Sequence, residues 1–401
     1  MAAIRHITLP GGFVAAGVAC GIKSTGREDV AIIAAEGRPV PAALLTTSNQ
    51  VIGEPVRWCR QVLPAGRGLV RGIVVNSGCS NVCTGRRGRQ DAEAMAALTA
   101  RLLGAEPHEV LVASTGVIGH HLPMVKIRKG IRAAAASLGR DNDQAALRAM
   151  MTTDTREKSA VTTFTARGGT VTVAGIIKGA GMIAPHVATM IAVVTTDAAA
   201  SPRTLQRAFT AAVDAGINAA TVDSDQSTSD TALALASGAS GVAVAPASAA
   251  ERKFSAAIAE VCRDLAKAMV RDGEGATKLI EVRVSGAASD RDARAAARAV
   301  ADSPLFKCAV HGADPNWGRI LAAAGRSAAR VRTERASVRI GGGAVFARGT
   351  PRRFDVAAVR RHLAGDTVII GLDLGLGRGK YTAYACDLSR EYITINADYH
   401  T

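Results

Sequence analysis

With 401 residues, 48% of them apolar, the chain can bury a large core, which excludes a disordered protein. No apolar run approaches the roughly 18 residues that a membrane span requires, so we expect no membrane partner. The net charge of +15 would suit a nucleic-acid-binding protein, but the basic residues are dispersed and aromatic residues are only 3%, so we expect no nucleic-acid partner.

Strand-like and helix-like patterns alternate along the chain. Ser201 as N-cap and Pro202 in the first turn predict a helix that ends at Gly216. An apolar stripe from Phe254 to Met269 predicts a second helix, ended by Gly273. Apolar runs, or apolar and polar residues in alternation, predict strands at residues 110–113, 170–173, 190–194, 367–370 and 392–395.

Three consecutive glycines near the C-terminus separate two short apolar segments. Residues 337–340 and 344–346 flank Gly341–Gly343, an arrangement typical of a β-hairpin. No repeat, low-complexity tract or long linker divides the chain. The sequence therefore predicts a mixed α/β fold in which largely antiparallel sheets pack against helices.

Candidate nucleotide and metal sites fail on their spacing. Residues 375–381 end in Gly-Lys-Tyr, whereas a phosphate-binding loop requires Ser or Thr after Gly-Lys, so we interpret them as a turn. Cys79 and Cys83 lack a second metal-binding pair and are interpreted as buried apolar residues. His120 and His121 are adjacent in sequence, so their side chains are expected to point to different sides and not to form a metal-binding pair. We expect no metal and no bound cofactor.

Cysteine usage and the first residues indicate the compartment. The seven cysteines are odd in number and scattered, which favours reduced thiols. Residues 1–6 lack the apolar stretch of a secretory signal. We therefore expect a cytoplasmic protein.

One threonine, Thr189, follows a glycine-rich bend and precedes the apolar run at 190–194. A threonine hydroxyl is a poor nucleophile unless a base lies beside it, and a free N-terminal amine can be that base. Thr189 acquires such an amine only if the peptide bond after Ala188 breaks. On spacing alone, an ordinary residue at the entry to a strand is the favoured interpretation.

The segment KGAGMIAPHVATM, from Lys178 to Met190, resembles the self-cleavage motif of the ornithine acetyltransferase family, also called the glutamate N-acetyltransferase family. Further matches extend in order over nearly the whole chain. They include GFVAAGV at 12–18, VNSG at 75–78, STGVIG at 114–119, MTTD at 151–154, DGEGATK at 272–278, DPNWGR at 314–319 and INADYHT at 395–401.

This resemblance implies a precursor that cuts itself between Ala188 and Thr189. An α chain of residues 1–188, which carries the oxyanion hole, would stay associated with a β chain of residues 189–401 in an α2β2 heterotetramer. The implied fold is the N-terminal-nucleophile-like sandwich of this family, with no bound cofactor.

The resemblance also implies the reaction and its residues. Thr189 would take the acetyl group of N-acetylornithine and pass it to glutamate in a ping-pong cycle. Thr115 and the Gly116 backbone N–H match the oxyanion hole. The residues do not distinguish whether acetyl-CoA is a further donor. The positions that match the family's substrate-binding residues, besides Thr189 itself, are Thr152, Lys178, Glu274, Asn396 and Thr401.

The matched residues leave two substrate assignments open. Lys178 suits a substrate carboxylate and Glu274 suits an amine. His186, however, replaces the polar amide residue usual three positions before the nucleophile. The alternative is a paralogue of secondary metabolism that transfers or hydrolyses an acyl group on another basic amino acid.

Overall fold

The computed structural model of this protein describes residues 6–184 and 190–398. The predicted cleavage site at Ala188 and Thr189 lies outside these ranges, as do His186 and the predicted substrate-binding residue Thr401.

Strands and helices alternate along most of the described chain. The strands are β1 Phe13–Val18, β2 Val30–Ala35, β3 Val40–Thr46, β4 Arg67–Val70, β5 Gly72–Cys79, β6 Val110–Val117, β7 Ser159–Ala166, β8 Gly169–Lys178, β9 Ile191–Thr196, β10 Ala220–Thr221, β11 Thr231–Ala236, β12 Leu279–Ala287, β13 Ser337–Ile340, β14 Gly343–Ala347, β15 Thr350–Pro351, β16 Thr367–Asp373 and β17 Gly379–Cys386. The α-helices are α1 Glu54–Val62, α2 Gly85–Leu103, α3 Met124–Ala136, α4 Asp143–Met150, α5 Pro202–Ala215, α6 Ala249–Arg271, α7 Asp290–Ala301, α8 Pro304–His311, α9 Trp317–Gly325, α10 Val356–Leu363 and α11 Arg390–Asp398.

The strands form three sheets, and most of their pairings are antiparallel. A four-stranded sheet has the order β1-β2-β5-β6, and a six-stranded sheet has the order β4-β3-β11-β9-β8-β7. A seven-stranded sheet has the order β10-β17-β12-β16-β13-β14-β15. Only β5–β6, β9–β11, β10–β17 and β12–β16 pair in parallel among the described strands. The predicted mixed, largely antiparallel α/β fold is therefore confirmed.

The four-stranded and six-stranded sheets face each other across a shared apolar core. Ile33 and Ile73 enter this core from one sheet, and Ile176 and Val193 enter it from the other. Helices α2 and α3 cover the outer face of the four-stranded sheet, and α5 and α6 cover that of the six-stranded sheet. The result is a layered sandwich with helices on both outer faces.

Strand β9 shows why its sequence is a continuous apolar run. Ile191 and Val193 face the core between the two sheets, whereas Ala192 and Val194 face α5 and α6. A strand that is buried on both faces has no polar position to alternate with. β9 pairs antiparallel with β8, so Lys178 lies opposite Ile191. Strands from both sides of residues 185–189 thus occupy one sheet.

The seven-stranded sheet forms a second apolar core with α7, α8, α9 and α10. Its β12 follows α6, and its β17 leads into α11. Glu274, in the loop after α6, and Asn396, in α11, lie near the end of β8 in the six-stranded sheet. No helix within 6–184 or 190–398 is long and apolar enough to cross a membrane.

Most of the predicted elements are confirmed. Both predicted helices are present, and the Ser201 side chain caps α5 by accepting the Thr204 N–H. The predicted hairpin is the β13–β14 pair. The strands predicted at 110–113, 170–173, 190–194 and 367–370 lie in or overlap β6, β8, β9 and β16.

Two sequence interpretations were wrong. Residues 392–395, predicted as a strand, lie in α11, where the Asn396 side chain donates to the Tyr392 carbonyl one turn earlier. A short apolar run does not distinguish a strand from a helix, and here no described strand pairs with it. Of the pair interpreted as buried, Cys79 is buried but Cys83 is exposed.

Candidate functional site

Predicted site residues from distant parts of the chain line one cavity of about 110 Å³. The end of β6, the loop after α4, the end of β8, the loop after α6 and helix α11 all contribute to its wall. The predicted residues found there are Thr115, Gly116, Thr152, Lys178, Glu274 and Asn396. Every predicted site residue within the described ranges is therefore at this cavity.

Gly116 lies where two parallel strands approach closely. It pairs with Gly78 of β5, and its φ of 125° is one that L side chains rarely adopt. A Cβ atom at Gly116 would lie 2.4 Å from the Gly78 carbonyl carbon. Position 116 thus requires glycine. Thr115, the residue before it, lies in the cavity wall.

The Thr115 hydroxyl is oriented by a buried lysine. Lys178 Nζ donates a hydrogen bond to Thr115 Oγ1 over 3.1 Å, and the lysine side chain is only 2% exposed. An ammonium group has donors and no acceptor, so the Thr115 oxygen must accept this bond. No described residue accepts a bond from the Thr115 O–H. Within the described ranges, its proton is therefore not used by another protein group.

A buried ionic network lies behind Lys178. Lys158 Nζ is 2.5 Å from carboxylate oxygens of both Asp154 and Asp272. Asp154 also accepts the Gly179 N–H at 2.7 Å. Burial alone would raise the pKa of Asp154, but Lys178 and Lys158 hold that pKa at about 2. Burial lowers the pKa of Lys178, and Asp154 opposes that change and favours the ammonium form.

Asp154→Asn should lower the free energy of unfolding by about 3–5 kcal/mol, because it removes the buried carboxylate that compensates the charges of both Lys158 and Lys178. The control is Asp214→Asn, which breaks the ion pair of Asp214 with Arg294 at a carboxylate that is 49% exposed. That change should cost about 1 kcal/mol or less. Chemical denaturation at neutral pH compares the two variants.

The same residue predicts a pH dependence. The folded pKa of Asp154, about 2, is below its ordinary value of 3.8, so its stabilisation is present above pH 3.8. It is lost as the pH falls from there through the folded pKa. Between pH 4 and pH 2, stability should therefore fall less steeply in Asp154→Asn than in the wild type. Equal slopes would contradict the assignment of the low pKa to Asp154.

Glu274 and Asn396 form a polar pair in the cavity wall. Asn396 Nδ2 donates to Glu274 Oε2 over 2.9 Å. The Glu274 N–H bonds the Ala180 carbonyl at 2.8 Å and fixes the glutamate beside the end of β8. A Cβ atom at Gly181 would lie 2.4 Å from Glu274 Oε2, so only glycine leaves room for the carboxylate there. The cavity wall thus contains both a cation, Lys178, and an anion, Glu274.

Some lining residues were missed by the sequence analysis. Ser227, Thr228 and Ser229 form part of the cavity wall, and the next residue, Asp230, is fully buried. The signal was the hydroxyl-rich run Ser-Asp-Gln-Ser-Thr-Ser-Asp at 224–230, between two apolar segments. Polar loops at strand ends often carry binding residues, but nothing local shows which strands they adjoin.

No cluster of three or more His, Cys, Asp or Glu residues in the described ranges could hold a metal ion. Cys79 and His120 come together only through a bond from the Cys79 thiol to the His120 carbonyl. The polar side chains that line the cavity carry hydroxyl, ammonium, carboxylate and amide groups.

Comparison with known proteins identifies the class of this fold and site. The profile of the ArgJ family matches residues 14–401. The arginine biosynthesis bifunctional protein ArgJ of Symbiobacterium thermophilum is 47% identical over 401 residues, covering 98% of both chains. The protein of the same name from Geobacter sulfurreducens is 47% identical over 97% of this chain and 99% of its own.

A solved structure agrees with these matches. The crystal structure of the arginine biosynthesis bifunctional protein ArgJ from Bacillus halodurans is 40% identical, with a TM-score of 0.50. The match covers 51% of this chain and 97% of that chain. By class, the protein is an acyltransferase enzyme with a layered α/β sandwich fold. The chain belongs to the ArgJ family.

Proposed function

We propose that this protein transfers the acetyl group of N-acetylornithine to glutamate through an acetyl-Thr189 intermediate, in arginine biosynthesis. The observation that carries the proposal is the bond from Lys178 to Thr115, which leaves the Thr115 O–H free to donate into the cavity. When a nucleophile attacks an acetyl carbonyl, negative charge develops on its oxygen, and a preorganised donor stabilises that charge. The Gly116 N–H would be the second donor.

The nucleophile would be generated by self-cleavage between Ala188 and Thr189. Cleavage there would give chains of residues 1–188 and 189–401 with a free amine on Thr189 as the base. Strands β8 and β9 belong to the two different chains yet are hydrogen-bonded neighbours, which would keep the chains together. The Bacillus halodurans chain, only about half as long as this one, also supports a two-chain product.

The charges of the cavity suit amino-acid substrates. Lys178 supplies an ammonium group for an α-carboxylate, and Glu274 supplies a carboxylate for an amine. Asn396 orients Glu274, and Thr152 adds a hydroxyl to the wall. Thr401 would complete the set of substrate contacts. Donor and acceptor are each expected to carry an α-carboxylate and a second charged or polar end.

Assembly and location follow from the same proposal. We expect an α2β2 heterotetramer. We also expect a cytoplasmic location, because the free cysteines fit a reducing compartment. Acetyl-CoA would be tested as a second donor to glutamate, since the relatives are named bifunctional.

A donor and acceptor panel tests the proposed reaction. Ornithine release from N-acetylornithine is measured with glutamate, with water alone and without added acceptor. Glutamate should stimulate release strongly, and a two-substrate velocity plot should give parallel lines, as a covalent intermediate requires. No ornithine release at millimolar N-acetylornithine, together with turnover of another acylated amino acid, would overturn the substrate assignment and favour the secondary-metabolite paralogue.

A further inference from the structure

The loop of residues 222–230, between β10 and β11, contacts the backbone on both sides of residues 185–189. This 222–230 loop carries the hydroxyl-rich run that lines the cavity. It also holds two aspartates, Asp223 near its start and Asp230 at its end, that accept hydrogen bonds from backbone N–H groups.

Asp223 holds the chain on the N-terminal side of residues 185–189. Its two carboxylate oxygens accept the N–H groups of Met182 and Ile183 at 2.6 and 2.8 Å. The Ile183 carbonyl in turn accepts the Val222 N–H at 2.8 Å. Met182 has a φ of 55°, which is uncommon for a residue other than glycine and needs support from its surroundings. Asp223 supplies that support.

Asp230 holds the chain on the C-terminal side. Its Oδ1 accepts the N–H of Met190, the residue directly after Thr189, at 2.9 Å. The Met190 carbonyl accepts the Thr231 N–H at 3.1 Å, so both backbone groups of Met190 bond to this end of the loop. Side chains of Thr47 and Ser227 lie against the same carboxyl.

Burial of Asp230 at this position lowers the stability of the fold. The side chain is fully buried, and burial raises the pKa of Asp230 well above its ordinary value. Its Oδ2 makes no well-formed hydrogen bond with any residue that the structure describes. A buried carboxyl with an unsatisfied oxygen destabilises a fold. Asp230 is therefore poorly explained by stability alone.

We propose that Asp223 and Asp230 are positioning residues for self-cleavage, which together clamp the backbone on both sides of residues 185–189. The proposal rests on the proposed function. In the cleavage step, a bond forms between Thr189 Oγ and the Ala188 carbonyl carbon, the Ala188–Thr189 C–N bond breaks, and the hydroxyl proton ends on the new amine. Water then hydrolyses the resulting ester. Such an attack depends on approach geometry, and a displacement of about 1 Å can cost a hundredfold in rate.

Strand β9 offers a matched control for the clamp. At its far end, Asp197 Oδ1 accepts the Thr172 N–H at 2.9 Å, the same kind of bond that Asp230 makes with Met190. Asp197→Ala therefore removes a carboxylate-to-backbone bond from the same region of the sheet, away from residues 185–189. Asp197 is less buried than Asp230, so the thermal unfolding of each variant is compared with its cleavage rate to separate structural loss from lost positioning.

The experiment follows conversion of freshly translated full-length precursor into two chains by denaturing electrophoresis, with thermal unfolding measured on the purified proteins. Asp223→Ala and Asp230→Ala should slow cleavage about tenfold or more, whereas Asp197→Ala should cleave at the wild-type rate. Asp230→Asn keeps the one oxygen that accepts the Met190 N–H and should recover most of the rate, whereas Asp223→Asn keeps only one of two acceptors and should recover part of it. This rescue distinguishes a positioning role from a need for charge.

The outcomes separate the clamp from the proposed function. A wild-type protein that stays a single chain would overturn both. A wild type that cleaves, with folded Asp223→Ala and Asp230→Ala cleaving equally fast, would overturn the clamp alone. Asp223 is partly exposed, so Asp223→Ala should fold. Its cleavage rate alone tests the clamp if Asp230→Ala does not accumulate.

Discussion

Thr189→Ala is expected to stay a single chain of 401 residues and to show no detectable acetyl transfer. Without the hydroxyl, neither the attack on the Ala188 carbonyl nor the attack on a donor acetyl group can occur. Denaturing electrophoresis and an ornithine-release assay measure the two losses separately.

Thr189→Ser is the matched variant, because it keeps the hydroxyl and removes only a methyl group. It should still cleave and still transfer acetyl groups, at reduced rates. An intact Thr189→Ala protein with substantial activity would show that the nucleophile lies elsewhere.

Thr115→Val should lower kcat for acetyl transfer by about a hundredfold or more, with KM changed only a few-fold. Valine matches threonine in shape but lacks the O–H that faces the cavity, so the developing oxyanion loses a donor. Because that donor acts mainly in the transition state, the loss should appear in kcat. Steady-state kinetics on the processed fraction measure this split.

Thr99→Val provides the control for this isosteric change. Thr99 lies in α2, is fully buried, and its hydroxyl oxygen makes no hydrogen bond with a residue in the described ranges. Removing a buried hydroxyl without a partner should leave activity unchanged and stability unchanged or higher. Equal loss of activity in Thr115→Val and Thr99→Val would contradict the oxyanion role of Thr115.

Local patterns were sufficient for the elements whose signals lie close together in sequence. The N-cap at Ser201 and the glycine turn after Ile340 each specify a structure through neighbouring residues. The apolar run of β9 was recognised because burial on both faces removes every polar position. In contrast, residues 392–395 carry strand-forming residues but lie in α11, where Ser389 and Asn396 on either side of them bond to the loop after α6.

The candidate site could be predicted only in part. Motif resemblance indicated Thr115, Lys178 and Glu274. The hydrogen bond between Lys178 and Thr115 could not be predicted, because it joins β8 and β6, which belong to different sheets. The polar run that ends at Asp230 does not show that this carboxylate bonds to Met190, because that contact depends on the pairing of β11 with β9. Contacts between residues distant in sequence thus define the electrostatics that the sequence alone leaves open.

The most direct test of the central claim is the intact mass of the denatured wild-type protein, with and without N-acetylornithine and in the absence of glutamate. The account predicts two chains, the second beginning Thr-Met-Ile-Ala at Thr189. It also predicts that N-acetylornithine adds the mass of one acetyl group to that second chain, on Thr189, and that glutamate then removes it. An active protein that remains one chain, or an acetyl group found on another residue, would contradict it.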